Sequence, residues 1–454
     1  MTPSRLALFL GAWAVPALAF AADPLVIVSA HWDGVRDEFG RAFAAHYRKE
    51  TGRDVDIHWR DLGGTSQIEK ALDAAYKATP GTCGIDVFFG GGIDPFLNLK
   101  AKGRLEPFAL PPAAAAVVPP DVNGVTIVDP DHMYYGAALA SFGILENLEV
   151  KRRLGLPEVA TWDDLARPEF LGWIDSADPR KSGSVHMIYE ILLQYYGWDR
   201  GWALINRMSG NVRTFFQSSS GPTKDVAAGD AAEGITIDIN GLVEVAALGP
   251  ENVRFVLPPP EILTPDGIGI LKGAPDPDTA RAFVAFVMSA EGQALWMKPL
   301  GSPGGPVKYP ISRLGVWPPY FAGAAFVSYN PFAPGAAPGM TYDPKLGSRR
   351  WAVVNDLLGQ TVIDPHARMV RAWRAILALP EAERAPFADA FAKPFLSEAE
   401  ALEATAYWRT DKLRAGRAMN AWMAAAAERY DRLAHEATLA ALAKRDGMAQ
   451  KGTR

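Results

Sequence analysis

Two short turns rich in serine and glycine carry the residue types that bind an anion. Residues 182–184 precede a long apolar segment with helical periodicity, and residues 219–221 precede Pro222, which favours the first turn of a helix. The free N–H groups and the dipole of a helix start attract negative charge, and serine hydroxyls add further donors. The alternative is that these serines only cap their helices, a common role for serine at such positions.

Similar residues follow apolar runs near the start of the chain. Gly64, Thr65 and Ser66 form a third turn of this kind, and Ser29 to Trp32 follow the first apolar run. His31 and Trp32 offer a hydrogen-bonding ring and a stacking face. These turns together predict that a small, polar, anionic ligand is held between two lobes.

Evidence for catalysis is weaker. Asp238 follows an apolar run that is typical of a strand. A carboxylate at this position is expected either to contact a ligand or a metal ion, or to cap a turn. The sequence contains no GxSxG elbow, no HExxH pair, no P-loop and no nucleotide-binding glycine fingerprint. We therefore predict a binding protein and not an enzyme. The competing interpretation is a two-lobed hydrolase or lyase with Asp238 or His31 as acid or base.

The elements that position these residues alternate between strand and helix. Leu25–Val28 has the character of a strand, and residues 34–49 carry apolar side chains at steps of four, which indicates a helix. Two more such units begin at Val55 and Ile85, and a second α/β block runs from about Tyr135 to Pro258. This alternation predicts a mostly parallel α/β sheet, in which ligands gather beyond the carboxyl ends of the strands. Long helical patterns follow from residue 349 to residue 444.

Composition limits the class of protein. Residues 1–21 have one early positive charge, an apolar run and a small-residue cleavage site, which together predict a secretory signal peptide and a periplasmic location. Cys83 is the only cysteine, so the chain has no intramolecular disulfide. The 46 basic and 51 acidic residues are interspersed. A nucleic-acid partner is therefore not expected, because it would favour a basic stripe.

Several segments, taken in order, resemble the extracellular solute-binding proteins of ABC importers, in the subgroup that binds ferric iron, polyamines, thiamine and phosphorylated solutes. The resemblance rests on "DVFFGGGIDPFLNLKAKGRLEP" at 86–107, "YYGAALASFGILEN" at 134–147, "TWDDLARPEFLGWIDSADPRKSGS" at 161–184, "VAAGDAAEGITID" at 226–238 and "ARAFVAFVMSAEGQALW" at 280–296. It covers most of residues 25–300. The segment after about residue 310 matches less clearly.

This resemblance implies an α/β, two-lobed periplasmic binding protein fold of type II with additional C-terminal helices. The implied organisation is a signal peptide at 1–21, a first lobe at 22–134 plus 265–310, a second lobe at 135–264, and a mostly helical C-terminal extension at 311–454 packed on the lobes. The strands that cross between the lobes are expected near residues 135–142 and 255–271.

The resemblance also implies the function and the site. The protein would capture a solute between the lobes and deliver it to an inner-membrane ABC permease, without a cofactor. Ferric-iron binding is the alternative, but relatives that bind iron directly have two adjacent tyrosines where this chain has Ile239 and Asn240. The predicted ligand contacts are Ser29, His31, Trp32, Gly64, Thr65, Ser66, Gly91, Gly92, Ser182, Gly183, Ser184, Ser219, Ser220, Gly221 and Asp238.

Overall fold

The computed structural model describes residues 22–122, 124–260, 263–322, 330–333, 340 and 342–451. The predicted signal peptide, residues 1–21, lies outside these ranges. The strands are β1 Asp23–Ser29, β2 Val55–Arg60, β3 Val87–Phe89, β4 Leu105–Glu106, β5 Asp121–Val122, β6 Val125–Thr126, β7 Tyr135–Asn147, β8 Ile174–Ala177, β9 Val212–Phe216, β10 Glu233–Ile237, β11 Val253–Val256 and β12 Leu263–Leu271.

Sixteen α-helices accompany the strands in the described residues. They are α1 Asp33–Thr51, α2 Thr65–Ala78, α3 Asp94–Ala101, α4 Pro112–Ala115, α5 Leu148–Leu154, α6 Gly183–Tyr196, α7 Trp198–Asn211, α8 Gly221–Ala228, α9 Asp238–Leu248, α10 Pro277–Val287, α11 Ala290–Met297, α12 Pro344–Leu358, α13 His366–Leu377, α14 Glu381–Ala392, α15 Glu398–Trp408 and α16 Lys412–Lys451. Short 3-10 helices lie at Trp162–Ala166, Pro168–Phe170 and Pro318–Phe321, and a π-helix lies at Gly359–Ile363.

One mixed sheet contains ten of these strands. Its main order is β2-β1-β3-β12-β7-β10-β8-β9, with β4 paired to β12 and β11 paired to β7. The predicted β-α units at the start of the chain are confirmed, since β1 pairs in parallel with both β2 and β3. In the second block, β8 pairs in parallel with β9 and β10.

Strand β7 connects the two parts of the sheet. Its first half pairs with β12 and its second half pairs with β10 and β11, and all 13 of its residues are buried. We call the part built on β1–β4 and β12 the first lobe, and the part built on β8–β11 the second lobe. The crossing predicted near residues 135–142 lies within β7, and the segment predicted at 255–271 is divided between β11 and β12.

Two polar residues beside strands belong to helices. Asn211 is the last residue of α7, where its side-chain amide donates to the carbonyls of Leu165 and Arg167, at 2.8 Å each. Asp238 is the first residue of α9, and its carboxylate accepts the N–H of Ile239 at 2.7 Å. Both positions satisfy helix ends, where side-chain hydrogen bonds and, for Asp238, the helix dipole favour a polar residue.

The C-terminal helices α12–α16 share a hydrophobic core with the second lobe. Trp202 and Ile188 of the second lobe belong to the same buried cluster as Trp373, Phe391 and Tyr430 of the C-terminal helices. Two other buried clusters fill the first lobe, one around Phe39 and Trp296 and the other around Phe88 and Phe96. Among the described helices, none combines the length and the apolar character needed to cross a membrane.

Candidate functional site

The predicted ligand-binding turns lie at the carboxyl ends of the parallel strands in each lobe, and these two sets of strands point towards each other across the crossing strands. β1, β2 and β3 are parallel, so the residues after them, from Ser29, Asp61 and Gly90, leave the sheet on the same side. β8, β9 and β10 are also parallel, so the residues after Ala177, Phe216 and Ile237 share an edge in the second lobe. The end of β10 pairs with Phe142, close to the point where β7 passes between the lobes. The topology thus places the turns of both lobes near the crossing strands.

The turn before α6 has the geometry of a capped helix start. Ser182 is the N-cap residue, and its Oγ accepts the N–H of Val185 over a long 3.4 Å. Ser182 is buried, Ser184 is half-buried and Gly183 is exposed. The capping interpretation of Ser182 therefore holds, but the weak bond leaves the hydroxyl able to serve a second partner.

The turn before α8 is tied to α9. The Ser218 and Ser220 hydroxyls are 2.6 Å apart, the Ser219 Oγ accepts from the Asn240 amide at 3.0 Å, and the Thr236 hydroxyl donates to the Ser219 carbonyl at 2.7 Å. Asn240, in place of one of the expected tyrosines, thus orders the serine turn.

In the first lobe, Gly64 is the N-cap of α2, and Thr65 and Ser66 are its first two residues. The Thr65 hydroxyl donates to the Gly91 carbonyl at 3.3 Å, which joins two of the predicted turns. Gly91 has a φ of +93°, and a Cβ there would lie 2.9 Å from the Thr65 hydroxyl, so a side chain would separate these turns.

His31 lies inside the first lobe and not at its surface. Its ring packs edge-on against Phe89, with ring centroids 4.5 Å apart. The Ser29 Oγ lies 3.1 Å from Nδ1, and Nε2 lies 2.6 Å from Asp266 Oδ2. Since both ring nitrogens have internal partners, His31 positions the loop that it belongs to. Its neighbour Trp32 is 43% exposed and keeps the expected stacking face.

Asp266 is the centre of a buried charge cluster that the sequence interpretation missed. Besides His31, its carboxylate accepts the Gly92 N–H at 2.9 Å and pairs with Arg313 at 2.5 Å. Burial alone would raise the pKa of Asp266. The charges of Arg313 and His31 outweigh this effect and hold the pKa well below its usual range. No local pattern marks this cluster, because Asp266 meets His31 only through the pairing of β12 with β3.

Asp238 lies on the other side of β7. Oδ2 accepts both the N–H and the hydroxyl of Ser141, at 2.9 and 3.0 Å. Burial raises the pKa of Asp238, and the charge of Arg313 opposes this rise. Arg313 is 5% exposed and Asp238 1%, so this buried cation pairs with Asp266 and also acts through its charge on a second buried carboxylate. Asp238 and His31, the acid or base of the enzymatic interpretation, are both engaged in buried hydrogen bonds.

A metal site is not evident in the described part of the chain. Within those residues, no three His, Cys, Asp or Glu side chains lie close enough to hold a metal ion. Two surface depressions, of about 390 and 610 Å³, are formed by other residues than the predicted ligand contacts.

The chain is similar to known solute-binding proteins in sequence and in structure. The model of the bacterial extracellular solute-binding protein family matches residues 84–311, which is 228 of the 454 residues. The chain is similar to the phosphoglycerate transport regulatory protein PgtC of Salmonella typhimurium, with 26% identity over 319 residues that cover 70% of this chain and 73% of that protein.

Two solved structures show the same fold. One is the periplasmic binding protein AfuA of Actinobacillus pleuropneumoniae with fructose-6-phosphate bound, which has a TM-score of 0.54, 20% identity, and coverage of 78% of this chain and 98% of that chain. The other is the apo ferric ion-binding protein A of Pasteurella haemolytica, with a TM-score of 0.56, 14% identity, and coverage of 74% and 97%. Each match covers nearly the full length of the solved chain but only about three quarters of this chain.

Proposed function

The chain belongs to the bacterial extracellular solute-binding proteins, the substrate-binding components of ABC importers, and on this premise we propose that its solute is a small phosphorylated organic anion. The observation that carries this proposal is the set of three hydroxyl-rich helix starts, at α2 in the first lobe and at α6 and α8 in the second, which follow strand ends that point towards each other beside the crossing strands. The first N–H groups of a helix lack intrahelical partners, and a phosphate group accepts several such donors at once. At α8 the Gly221 N–H is bonded to the Ser218 carbonyl and Pro222 has no N–H, so the serine hydroxyls are the main donors proposed for that start.

The polar residues around these starts favour an anion with more than one acceptor group. The Asn240 amide donates to the Ser219 Oγ, so the Ser219 hydroxyl is held in place with its own proton available to a ligand. Thr65 donates its proton to the Gly91 carbonyl and so orders the turn in the first lobe. Lys181 is exposed and directly precedes the α6 turn. Ordered donors lower the cost of binding, because fewer rotamers are lost.

The relatives support a phosphorylated solute. PgtC is named for phosphoglycerate transport, and this chain is similar to it over most of its length. AfuA, which shares the fold, has been solved with a sugar phosphate bound. Ferric iron is the weaker candidate, because this chain has Ile239 and Asn240 at the positions of the expected tyrosines.

The mechanism is capture without a chemical step. The solute binds to the helix starts of one lobe, and those of the other lobe complete the shell when the lobes close about β7 and β12. A ligand drives such closure only by binding the closed form more tightly than the open form. The closed form then presents its surface to the permease.

Calorimetry with phosphoglycerate, inorganic phosphate and glycerate tests this proposal. We expect phosphoglycerate to bind most tightly and glycerate to bind weakly. Ser182→Ala combined with Ser219→Ala should weaken phosphoglycerate binding about tenfold or more for each lost donor. Ser289→Ala is the matched control, since Ser289 caps α11 through the N–H of Gly292 at 3.3 Å, and α11 is not one of the predicted ligand-binding starts. Equal affinity in the double variant and the control would contradict the helix-start model.

A sensory role is a second candidate. PgtC is named a regulatory protein, and this chain carries the helices α12–α16 in addition to its two lobes. In this interpretation the C-terminal helices contact a membrane receptor. Leu439 and Leu442 of α16 are about half exposed, so Leu439→Glu with Leu442→Glu would test such a contact without removing the core that these helices share with the second lobe. Loss of a co-purifying membrane protein with unchanged solute binding would support the sensory role.

A further inference from the structure

The C-terminal helices contact the α6 turn directly, through an ion pair. Arg180, two residues before the N-cap Ser182, donates from both terminal nitrogens to Asp364, at 2.9 and 2.7 Å. The hydrogen bond to Asp364 raises the pKa of Arg180 above its usual range. Asp178, at the end of β8, is a second partner of Arg180 at 2.8 Å. The ion pair therefore links the strand end that leads into the α6 turn to the end of the π-helix.

An aromatic contact covers the turn itself. The indole of Trp351 on α12 lies 3.8 Å from the position of a Cβ on Gly183, and it packs against the His186 ring with centroids 3.6 Å apart and ring planes tilted by 31°. His186 Nδ1 lies 2.6 Å from the Asn355 side-chain oxygen, also on α12. Burial lowers the pKa of His186 to about 3, so this ring is neutral near pH 7. Its Nε2 is buried without a hydrogen-bond partner among the described residues.

The next turns of α6 are anchored to the same helices. Arg350 is 1% exposed and lies 2.9 Å from Glu190, and it also pairs with Glu398 at the start of α15. Gly359 leaves room for the ion pair between Arg180 and Asp364, because a Cβ on Gly359 would lie 2.6 Å from the Arg180 guanidinium. The C-terminal helices therefore contact α6 along its first half, from Arg180 before the N-cap to Glu190.

We propose that Asp364 and Trp351 are positioning residues of the solute site, which hold the α6 turn in the geometry that binds an anion. The proposal rests on the proposed function, since it assumes that the α6 turn contacts the solute. The C-terminal helices then act on binding from outside the two lobes. A turn that is fixed before binding loses less conformational freedom when the ligand arrives, so releasing it should weaken binding by about tenfold.

The first experiment compares Asp364→Asn with a matched control. Asp389→Asn removes another ion pair between the C-terminal helices and the second lobe, the one that joins Asp389 to Arg207 at 2.8 Å, away from the α6 turn. Amide hydrogen exchange of residues 181–186 in the ligand-free protein should be faster in Asp364→Asn and unchanged in Asp389→Asn. Unchanged exchange in both variants would overturn the positioning role.

The second experiment measures phosphoglycerate affinity in the same proteins and in two variants of Trp351. Asp364→Asn and Trp351→Ala should weaken binding about tenfold, while Trp351→Phe, which keeps a ring over Gly183, should restore most of it. Faster exchange with unchanged affinity would show that the α6 turn does not contact the solute. If the wild-type protein binds neither phosphoglycerate nor fructose-6-phosphate, the proposed solute class fails, and the exchange measurement still decides whether Asp364 orders the turn.

Discussion

Replacing Arg313 with methionine removes a buried guanidinium that pairs with Asp266 and whose charge also acts on Asp238. In Arg313→Met, Asp266 keeps its contacts to His31 at 2.6 Å and to the Gly92 N–H at 2.9 Å, but it loses the guanidinium at 2.5 Å. Removing one partner of a buried ion pair costs about 3–5 kcal/mol. Because two donors to Asp266 remain, we expect the lower end, a loss of about 3 kcal/mol in the free energy of unfolding near pH 7.

This loss should shrink in acid. The lowered pKa of Asp266 gives the wild-type protein stability that is present above the ordinary carboxyl pKa of about 3.9 and is lost as the pH falls below it. Without Arg313, the pKa of Asp266 moves up towards its ordinary value, and the pKa of Asp238, which burial already raises, moves up further. The variant then takes up a proton on folding between neutral pH and about pH 4, so its stability approaches that of the wild-type protein.

Urea denaturation followed by tryptophan fluorescence, near neutral pH and in mild acid, measures both effects. The double variant Arg313→Met with Asp266→Asn leaves one fewer unpaired charge and should be more stable than Arg313→Met alone. A loss that is the same at both pH values, with no recovery in the double variant, would refute the assigned charge cluster.

Three further variants test other buried contacts, each by the same denaturation assay. Burial and the nearby Glu69 raise the pKa of Asp94 to about 7, so stability is present below the ordinary carboxyl pKa of about 3.9 and is lost as the pH rises from there to about 7. Asp94→Asn should therefore stabilise the protein by about 1–2 kcal/mol above pH 7, by less in mild acid and not below about pH 4. Gly210→Ala places a Cβ 2.7 Å from the buried Trp373 ring and should cost about 1–3 kcal/mol, whereas an unchanged midpoint would contradict the packing of α13 on α7. Glu38 accepts the N–H of Val307 at 3.0 Å and two more N–H groups, so Glu38→Gln should cost about 2 kcal/mol near neutral pH.

The alternation of strand and helix could be predicted because each element carries its own period. The segment from Leu25 to Lys49 shows a short apolar run and then apolar residues at steps of four, and it forms β1 and α1. The turns at Gly64 and Ser182 could be placed at helix starts for the same reason, because glycine and serine mark such positions locally.

Contacts between distant segments could not be predicted in the same way. His31 and Asp266 are 235 positions apart, and they meet only because β12 runs antiparallel beside β3. A histidine after an apolar strand has the same local pattern whether it faces a ligand or a buried aspartate. The apolar face of α12 likewise indicates burial but not its partner, so the contact of Trp351 with the α6 turn emerges only from the fold.

Native mass spectrometry of the protein purified from the periplasm, with phosphorus and metal analysis of the same sample, tests the central claim most directly. We expect a phosphorus-containing organic adduct at one per chain, without an equivalent of iron. Stoichiometric iron, or a bound solute that lacks phosphate, would contradict the assignment of the three helix starts to a phosphorylated anion.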